Sequence, residues 1–282
     1  MKLVMFSKHL APLSIDEAVK AAGDIGFDGL DLTVRPGGHI EPSNARDALP
    51  EAVERVRGLG YDIPMITTGI TDAAAPYSED IFHAASEANV RDLKLGYWQY
   101  KGFGNVRRQV EEVKEALDGI AALAEQYEVR ANVHIHSGDF IPHDGGILWH
   151  LLLGRDPEVI GAYVDPGHMA VEGGASGWKV GLDLLTPWIN LVAIKDMAWA
   201  HSHDPALGKE RWQTKMVPLT QGLVPWPEVF AYLRDVGFDN TISVHSEYQG
   251  SHSWRDLSLQ ELLAQTKEDF EYLQGAMQVM FE

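Results

Sequence analysis

Apolar residues along the chain follow two periods in strict alternation. Short β-branched or apolar runs lead through a Gly, Pro or polar turn into stretches with the spacing of an amphipathic helix. The runs predict eight strands: Leu3–Phe6, Gly29–Leu32, Asp62–Thr67, Asp92–Gly96, Arg130–His136, Gly161–Asp165, Asn190–Lys195 and Thr241–His245. The longest predicted helices span about Asn105–Tyr127 and Ser258–Met280. Ser14 and Glu17 have the spacing of a capping box at the start of the first helix. That helix ends at Gly26, and Ile25-Gly26-Phe27-Asp28-Gly29 leads into the second strand. The device recurs at Leu59-Gly60-Tyr61-Asp62 and Val236-Gly237-Phe238-Asp239. Glycine at a helix C-cap followed by a strand is the usual return of an αβ unit.

Alternating strands and helices imply a parallel sheet. Eight such units predict an α/β fold of the (β/α)8 TIM-barrel type. The rival, an open doubly wound sheet, would carry a glycine-rich phosphate loop after its first strand. Here that strand runs into Ser7-Lys8-His9-Leu10-Ala11-Pro12. No low-complexity segment, charge block or Pro/Ser-rich linker interrupts the pattern, so residues 1–282 read as one barrel domain. The length suits a barrel of roughly 250 residues.

The formal net charge is −18 and the chain has no cysteine. The acidic balance argues against nucleic acid, which is bound mainly through Lys and Arg, and against an anionic membrane surface. No apolar run approaches the roughly 20 residues of a membrane span, and the N-terminal run is too short for a signal peptide. Lack of cysteine removes disulfides, thiolate nucleophiles and Cys-based metal sites, and is compatible with the expected cytoplasmic location. Nothing in the pattern excludes a homo-oligomer.

Of 12 histidines, ten fall at or just after predicted strand C-termini: His9, His39, His134, His136, His143, His168, His201, His203, His245 and His252. That end of a barrel carries its active site. Side-chain alternation sends Asn132, His134 and His136 inward from the fifth strand, and Tyr163 and Asp165 from the sixth. It likewise sends Ala193 and Lys195 inward from the seventh, and Ser243, His245 and Glu247 from the eighth. Converging imidazoles and carboxylates suit a divalent metal or acid–base work beside a carbonyl. Tyr97, Trp98 and Trp199 are placed to stack on a sugar and exclude water. Arg35 and His39 would recognise its far end, with His136 and His168 also contacting it.

These elements resemble the xylose isomerase-like barrel superfamily, in particular its sugar phosphate isomerase/epimerase proteins. The resemblance rests on Ala18–Leu32, on Ala162–Met169 with its Asp165-Pro166-Gly167-His168, and on Val192–Asp196. It extends to Val217-Pro218-Leu219, Gly222-Leu223-Val224 and Trp226, and to Ile242–Tyr248. It implies a divalent metal, often manganese, held by Glu, Asp, His and Glu, the two glutamates moving a proton between adjacent sugar carbons. Carried over, these positions are His134, Asp165, Ala193 and His245, with Glu247 two residues on. The expected metal set is therefore His134, Asp165, His245 and Glu247, with His168 as a further ligand, for Mn, Zn, Fe or Ni. His134 and His245 would act on opposite faces of a sugar or sugar phosphate, and Lys195 would stabilise an enediolate oxygen. The expected activity is isomerisation or epimerisation. The alternatives are a lyase or dehydratase acting on a keto-sugar, and a silent sugar-binding protein. The superfamily's DNA-repair branch is disfavoured by the charge.

Overall fold

The computed structural model describes residues 1–204, 206 and 208–280. In chain order the strands are β1 (Lys2–Phe6), β2 (Gly29–Val34), β3 (Asp62–Thr68), β4 (Asp92–Lys94), β5 (Trp98–Gln99), β6 (Arg130–His134), β7 (Phe140–Ile141) and β8 (Ile160–Val164). They continue with β9 (Ile189–Ile194), β10 (Asp196–Asp204), β11 (Lys209–Val217) and β12 (Thr241–Val244). The helices are α1 (Ile15–Ile25), α2 (Ala45–Gly58), α3 (Ser78–Glu87), α4 (Val106–Tyr127), α5 (Gly145–Leu152), α6 (Pro166–Leu185), α7 (Trp226–Asp235) and α8 (Leu259–Ala276).

Eight strands close one barrel in the order β1-β12-β9-β8-β6-β4-β3-β2, every neighbouring pair parallel. These are the eight strands read from the apolar runs. Capping boxes at Ser14–Glu17 and Ser258–Glu261 fix the starts of α1 and α8. At Gly29 a Cβ would lie 1.8 Å from the Asp62 carbonyl oxygen, so only glycine lets β2 pair with β3 there.

The alternation along the strands separates two interiors. Residues such as Val133, Val164, Val192, Ile194 and Val244 face the helices and join the main apolar core. Inside the barrel, Met65, Tyr163, Leu191 and Ala193 form a small apolar cluster of their own. Around that cluster the inward positions carry Asp31, Thr67, Lys94, Asn132, His134 and Ser243, all buried.

Two additions to the barrel were not predicted. Immediately after β9 the chain forms an antiparallel hairpin of β10 and β11, and β5 pairs with β7 beside the mouth. The hairpin carries His201 and His203, each near Glu210, on an exposed arm. These two histidines are therefore not at the strand ends where the sequence reading put them. His168 does follow the end of β8 directly, in the first turn of α6.

Candidate active site

The C-terminal mouth of the barrel is assembled from short local devices. Asp165 caps α6, its Oδ1 accepting the His168 N–H at 3.0 Å. A Cβ at Gly167 would lie 2.5 Å from the Lys195 carbonyl oxygen, so the Asp-Pro-Gly-His run lets α6 approach β9 closely. After Lys195, Asp196 accepts the Leu223 N–H at 2.7 Å and the Trp226 Nε1–H at 3.0 Å. That ties the Lys-Asp pair to the loop before α7 and leaves Lys195 on a rigid support.

Lys195 is the hub. Its Nζ lies 3.2 Å from Asp165 Oδ2 and 3.3 Å from Glu247 Oε1. Burial disfavours its charge, but the two carboxylates outweigh that and raise its pKa above the ordinary lysine value. Burial would raise Glu247, yet Lys195, hydrogen bonds from His245 and His9, and Lys8 hold it well below the usual range. Lys8 Nζ is 2.5 Å from the other Glu247 oxygen, Oε2. Asp165 is also held low, against its burial, first by Lys195 and then by nearby histidines.

The histidines are uncharged by environment. Burial, then the positive field of Lys195, lowers His136 to about 4 and His168 well below its ordinary value. Burial and Lys195 bring His245 to about 4, against the pull of Glu247. His134 is depressed for the same two reasons, burial first. Such imidazoles are unprotonated bases at neutral pH.

Hydrogen bonding divides them further. His134 uses both ring nitrogens, Nε2 with Asp165 Oδ2 at 3.1 Å and Nδ1 with the Tyr97 hydroxyl at 2.9 Å. Its ring stacks on Tyr163 at 4.4 Å between centroids. His245 bonds the Tyr163 hydroxyl through Nε2 at 2.8 Å and stacks on Phe6 at 4.4 Å. The His134 and His245 centroids are 6.0 Å apart with Tyr163 against both, so no substrate fits between them. This corrects the expectation of one base on each face. His168 offers a free nitrogen instead. Its Nδ1 bonds Ser137 Oγ at 2.7 Å, and its buried Nε2 makes no hydrogen bond, lying 3.7 Å from Asp165 Oδ2.

A cavity of about 260 Å³ opens at this mouth. His136 and His168 line one side, Lys8, Glu247 and His252 the other, with Lys195 between and Met197, Thr214 and Met216 of the hairpin contributing. A larger space of about 580 Å³ lies at the opposite end, beside Asp92 and Arg130. That end holds the strand N-termini, where barrels keep stability rather than chemistry.

Several expected contacts fall elsewhere. Trp199 is 47 % exposed on β10 and does not line the cavity. Trp98 donates Nε1–H to the Thr71 carbonyl and packs against the outer core. Tyr97 holds His134 rather than offering its face to solvent, and Lys94 Nζ sits 3.4 Å from its ring centroid. Arg35 lies 5.7 Å from the Phe6 ring, and His39 is held by Thr33, both outside the cavity lining. Sequence reasoning missed Lys8 and Lys94. Lys94 was accessible to the same alternation argument, being the inward neighbour of Asp92 on β4.

The residues at the metal position fit an ammonium group, not a divalent ion. Lys195 Nζ occupies the space between Asp165 and Glu247. Both His134 nitrogens and one of His245 are taken, and Ala193 offers no donor. Among the described residues, three ligand-type atoms within 4.8 Å of one another occur at His9, Glu247 and His252, and there Lys8 already holds Glu247.

The barrel and its mouth define the class, and the sequence match agrees. Residues 4–275 match the family model of the xylose isomerase-like TIM barrel, and the chain belongs to that family. Among solved structures it is similar to D-psicose 3-epimerase from Clostridium cellulolyticum H10, crystallised with D-tagatose. That match has a TM-score of 0.72 and 12% identity, over 98% of this chain and 99% of that one. The probable 3-DHS dehydratase AsbF of Bacillus anthracis aligns with a TM-score of 0.68 and 18% identity, over 97% and 99%. A xylose isomerase-like barrel protein from Mycobacterium smegmatis, solved with magnesium, aligns with a TM-score of 0.66 and 14% identity, over 99% and 97%. No curated protein matches the sequence significantly. No helix among the described residues is long and apolar enough to cross a membrane.

Proposed function

We propose that the protein moves a proton at a carbon next to a carbonyl in a small sugar or keto-sugar, as an isomerase or epimerase. The observation that carries this is the pairing of a charged lysine with a free neutral imidazole at one small cavity. Lys195 Nζ and His168 line it together, and His168 Nε2 makes no hydrogen bond, its contact with Asp165 Oδ2 being 3.7 Å long. The substrate carbonyl oxygen sits at Lys195. His168 Nε2 takes the proton from the adjacent carbon, the C–H electron pair forms the enediolate double bond, and the ammonium hydrogen-bonds the resulting oxyanion. Return of the proton to the neighbouring carbon, with the enediol hydroxyl proton passing to the first oxygen, isomerises the sugar. Inversion needs a second proton, given to the opposite face by His252 on the other wall, while His168 releases the one it took to solvent. His134, Asp165 and His245 act as positioning residues for Lys195 and Glu247. The cavity volume suits one monosaccharide-sized molecule, at the small end of ligand sites. The epimerase similarity supports the substrate class.

The test is incubation with a panel of ketoses, keto-sugars and their phosphates in deuterated water. Solvent deuterium should appear at one carbon, and His168→Gln should slow its entry by roughly 10²–10⁴-fold. Elimination of water from the substrate would point to a lyase instead, and no exchange with any member would favour a silent binding protein.

A further inference from the structure

We infer that the Lys195 ammonium takes the place of a divalent cation, so that the site works without a bound metal. The inference deepens the proposed reaction, resting on it for the use of the site but not for what occupies it.

Three independent features meet at this point. The first is position. Lys195 Nζ bridges Asp165 Oδ2 and Glu247 Oε1 at 3.2 and 3.3 Å, the two carboxylates that reach the barrel mouth from β8 and β12. A cation shared by these oxygens would have to displace it.

The second is charge. Asp165 and Glu247 carry two negative charges, and Lys195 and Lys8 balance them in direct ion pairs. A dication would add two positive charges to a cluster that is already neutral, a few ångströms from the buried Lys195 ammonium group. At such distances like-charge repulsion is large in a medium of low polarity.

The third is the supply of ligands. A metal site needs lone pairs aimed at one point. The imidazole of His134 spends both nitrogens on Asp165 and Tyr97, and that of His245 gives Nε2 to Tyr163. The nitrogens left, His168 Nε2 beside Asp165 and His245 Nδ1 beside Glu247, do not converge with both carboxylates on one point. The inward β9 position below Lys195 is Ala193, packed with Met65, Tyr163 and Leu191 in an apolar layer. That layer removes water from beneath the site and supplies no donor.

The ammonium can perform the electrostatic part of the task. It brings a single fixed charge and N–H donors to the carbonyl oxygen, and Asp165 and Glu247 orient it. A lysine held this way also responds to substitution differently from a metal site, since its loss leaves two carboxylates ready to bind a cation.

The experiment is metal analysis and calorimetric titration of the chelator-treated full chain with manganese and with zinc. Wild type should retain no stoichiometric metal and show no saturable binding between Asp165 and Glu247. Lys195→Met combined with Ala193→His should take up one manganese ion per chain. One equivalent of metal in wild type that disappears in Asp165→Asn would overturn the inference, whether or not the double variant folds. Deuterium exchange on a working substrate gives the second readout. Exchange that survives excess chelator supports the lysine, exchange abolished by chelator and restored by metal sinks it, and absence of exchange under all conditions counts against the proposed reaction alone.

Discussion

The two ends of the barrel contain similar polar material and use it in opposite ways. At the strand N-termini Arg130 grips Asp92 in a two-point ion pair, Nε to Oδ1 at 2.9 Å and Nη2 to Oδ2 at 2.8 Å. Asn132 and Asn240 donate to the same carboxylate, and Asn190 accepts from Arg130. Among the described residues there, only the Asn132 Oδ1 atom is left without a partner. At the C-terminal mouth, the cavity-lining His168 Nε2 is buried and makes no hydrogen bond, its contact with Asp165 Oδ2 being 3.7 Å long. Buried polar atoms are normally satisfied, and exceptions need a reason. One end closes its network on itself and stabilises the fold. The other keeps an acceptor open toward a cavity, which is what a site for a polar small molecule requires.

The sharpest way to break this contrast is to remove the cation at each end. Arg130→Met leaves the Asp92 carboxylate buried without its partner, and should cost about 3–5 kcal/mol of unfolding free energy. Turnover per folded molecule should be unchanged. Lys195→Met should slow substrate deuterium exchange by roughly 10²–10³-fold, the usual effect of deleting a donor to a developing oxyanion. Denaturant unfolding and exchange rates measured on both variants decide the matter. If Arg130→Met lowers the rate per folded molecule as much as Lys195→Met does, the division between the two ends fails.

Tyr97→Phe comes next in size. It frees His134 Nδ1 while leaving the His134–Asp165 bond in place. A lost hydrogen bond that leaves a buried acceptor costs about 1–3 kcal/mol, and the loosened Asp165–Lys195 pair should lower kcat more than it raises KM. An increase in KM alone would mean that Tyr97 contacts substrate directly, as the sequence pattern suggested.

Much of this was legible in the chain. All eight barrel strands follow from the apolar runs, and alternation correctly turned His134, Asp165, Lys195 and Glu247 inward. Parity fixes which way a side chain points, but not which of its atoms a neighbour has already claimed. That is why His134 read as a base and is instead bonded on both nitrogens. Alternation could not reveal that Lys195 reaches the space between two carboxylates, because that depends on the spacing of β8, β9 and β12 in the closed barrel. The hairpin was hidden for another reason. β10 begins two residues after β9 ends, and Lys209-Glu210-Arg211-Trp212 of β11 is exposed along its length. A strand whose first half is exposed on both faces has no apolar period there to betray it.

A pH profile sharpens the contrast further. The cavity imidazole of His136, and the positioning imidazole of His245, titrate near 4 because burial and Lys195 disfavour their charged forms. His168 is also depressed, well below its ordinary value, for the same reasons. A depressed histidine stays an unprotonated base as pH falls past its ordinary value of about 6.5. The quantity kcat/KM should therefore hold level as pH falls through about 6.5 and decline only well below it. A limb centred near 6.5 would mean that the working base lies outside this buried cluster.

The smallest expected effect is that of Trp199→Ala, and its smallness is informative. From sequence, Trp199 follows the seventh strand at the height where an indole could cover a bound sugar. In the structure it belongs to β10, paired across the hairpin with Thr214, and about half of it is exposed. Thr214, not Trp199, borders the cavity. A surface substitution of this kind changes stability by no more than about 0.5 kcal/mol, and KM should stay within about twofold of wild type, since no contact that differs between free and bound states is lost. Loss of a stacking platform would cost about 0.5–1.5 kcal/mol beyond the buried area, so KM would rise by roughly tenfold. Measuring KM for Trp199→Ala beside Thr214→Val separates the two geometries. A rise confined to the Thr214 variant places the substrate inside the mouth, between the lysine and the open imidazoles, whereas a rise with Trp199→Ala would mean that the hairpin folds over the bound molecule.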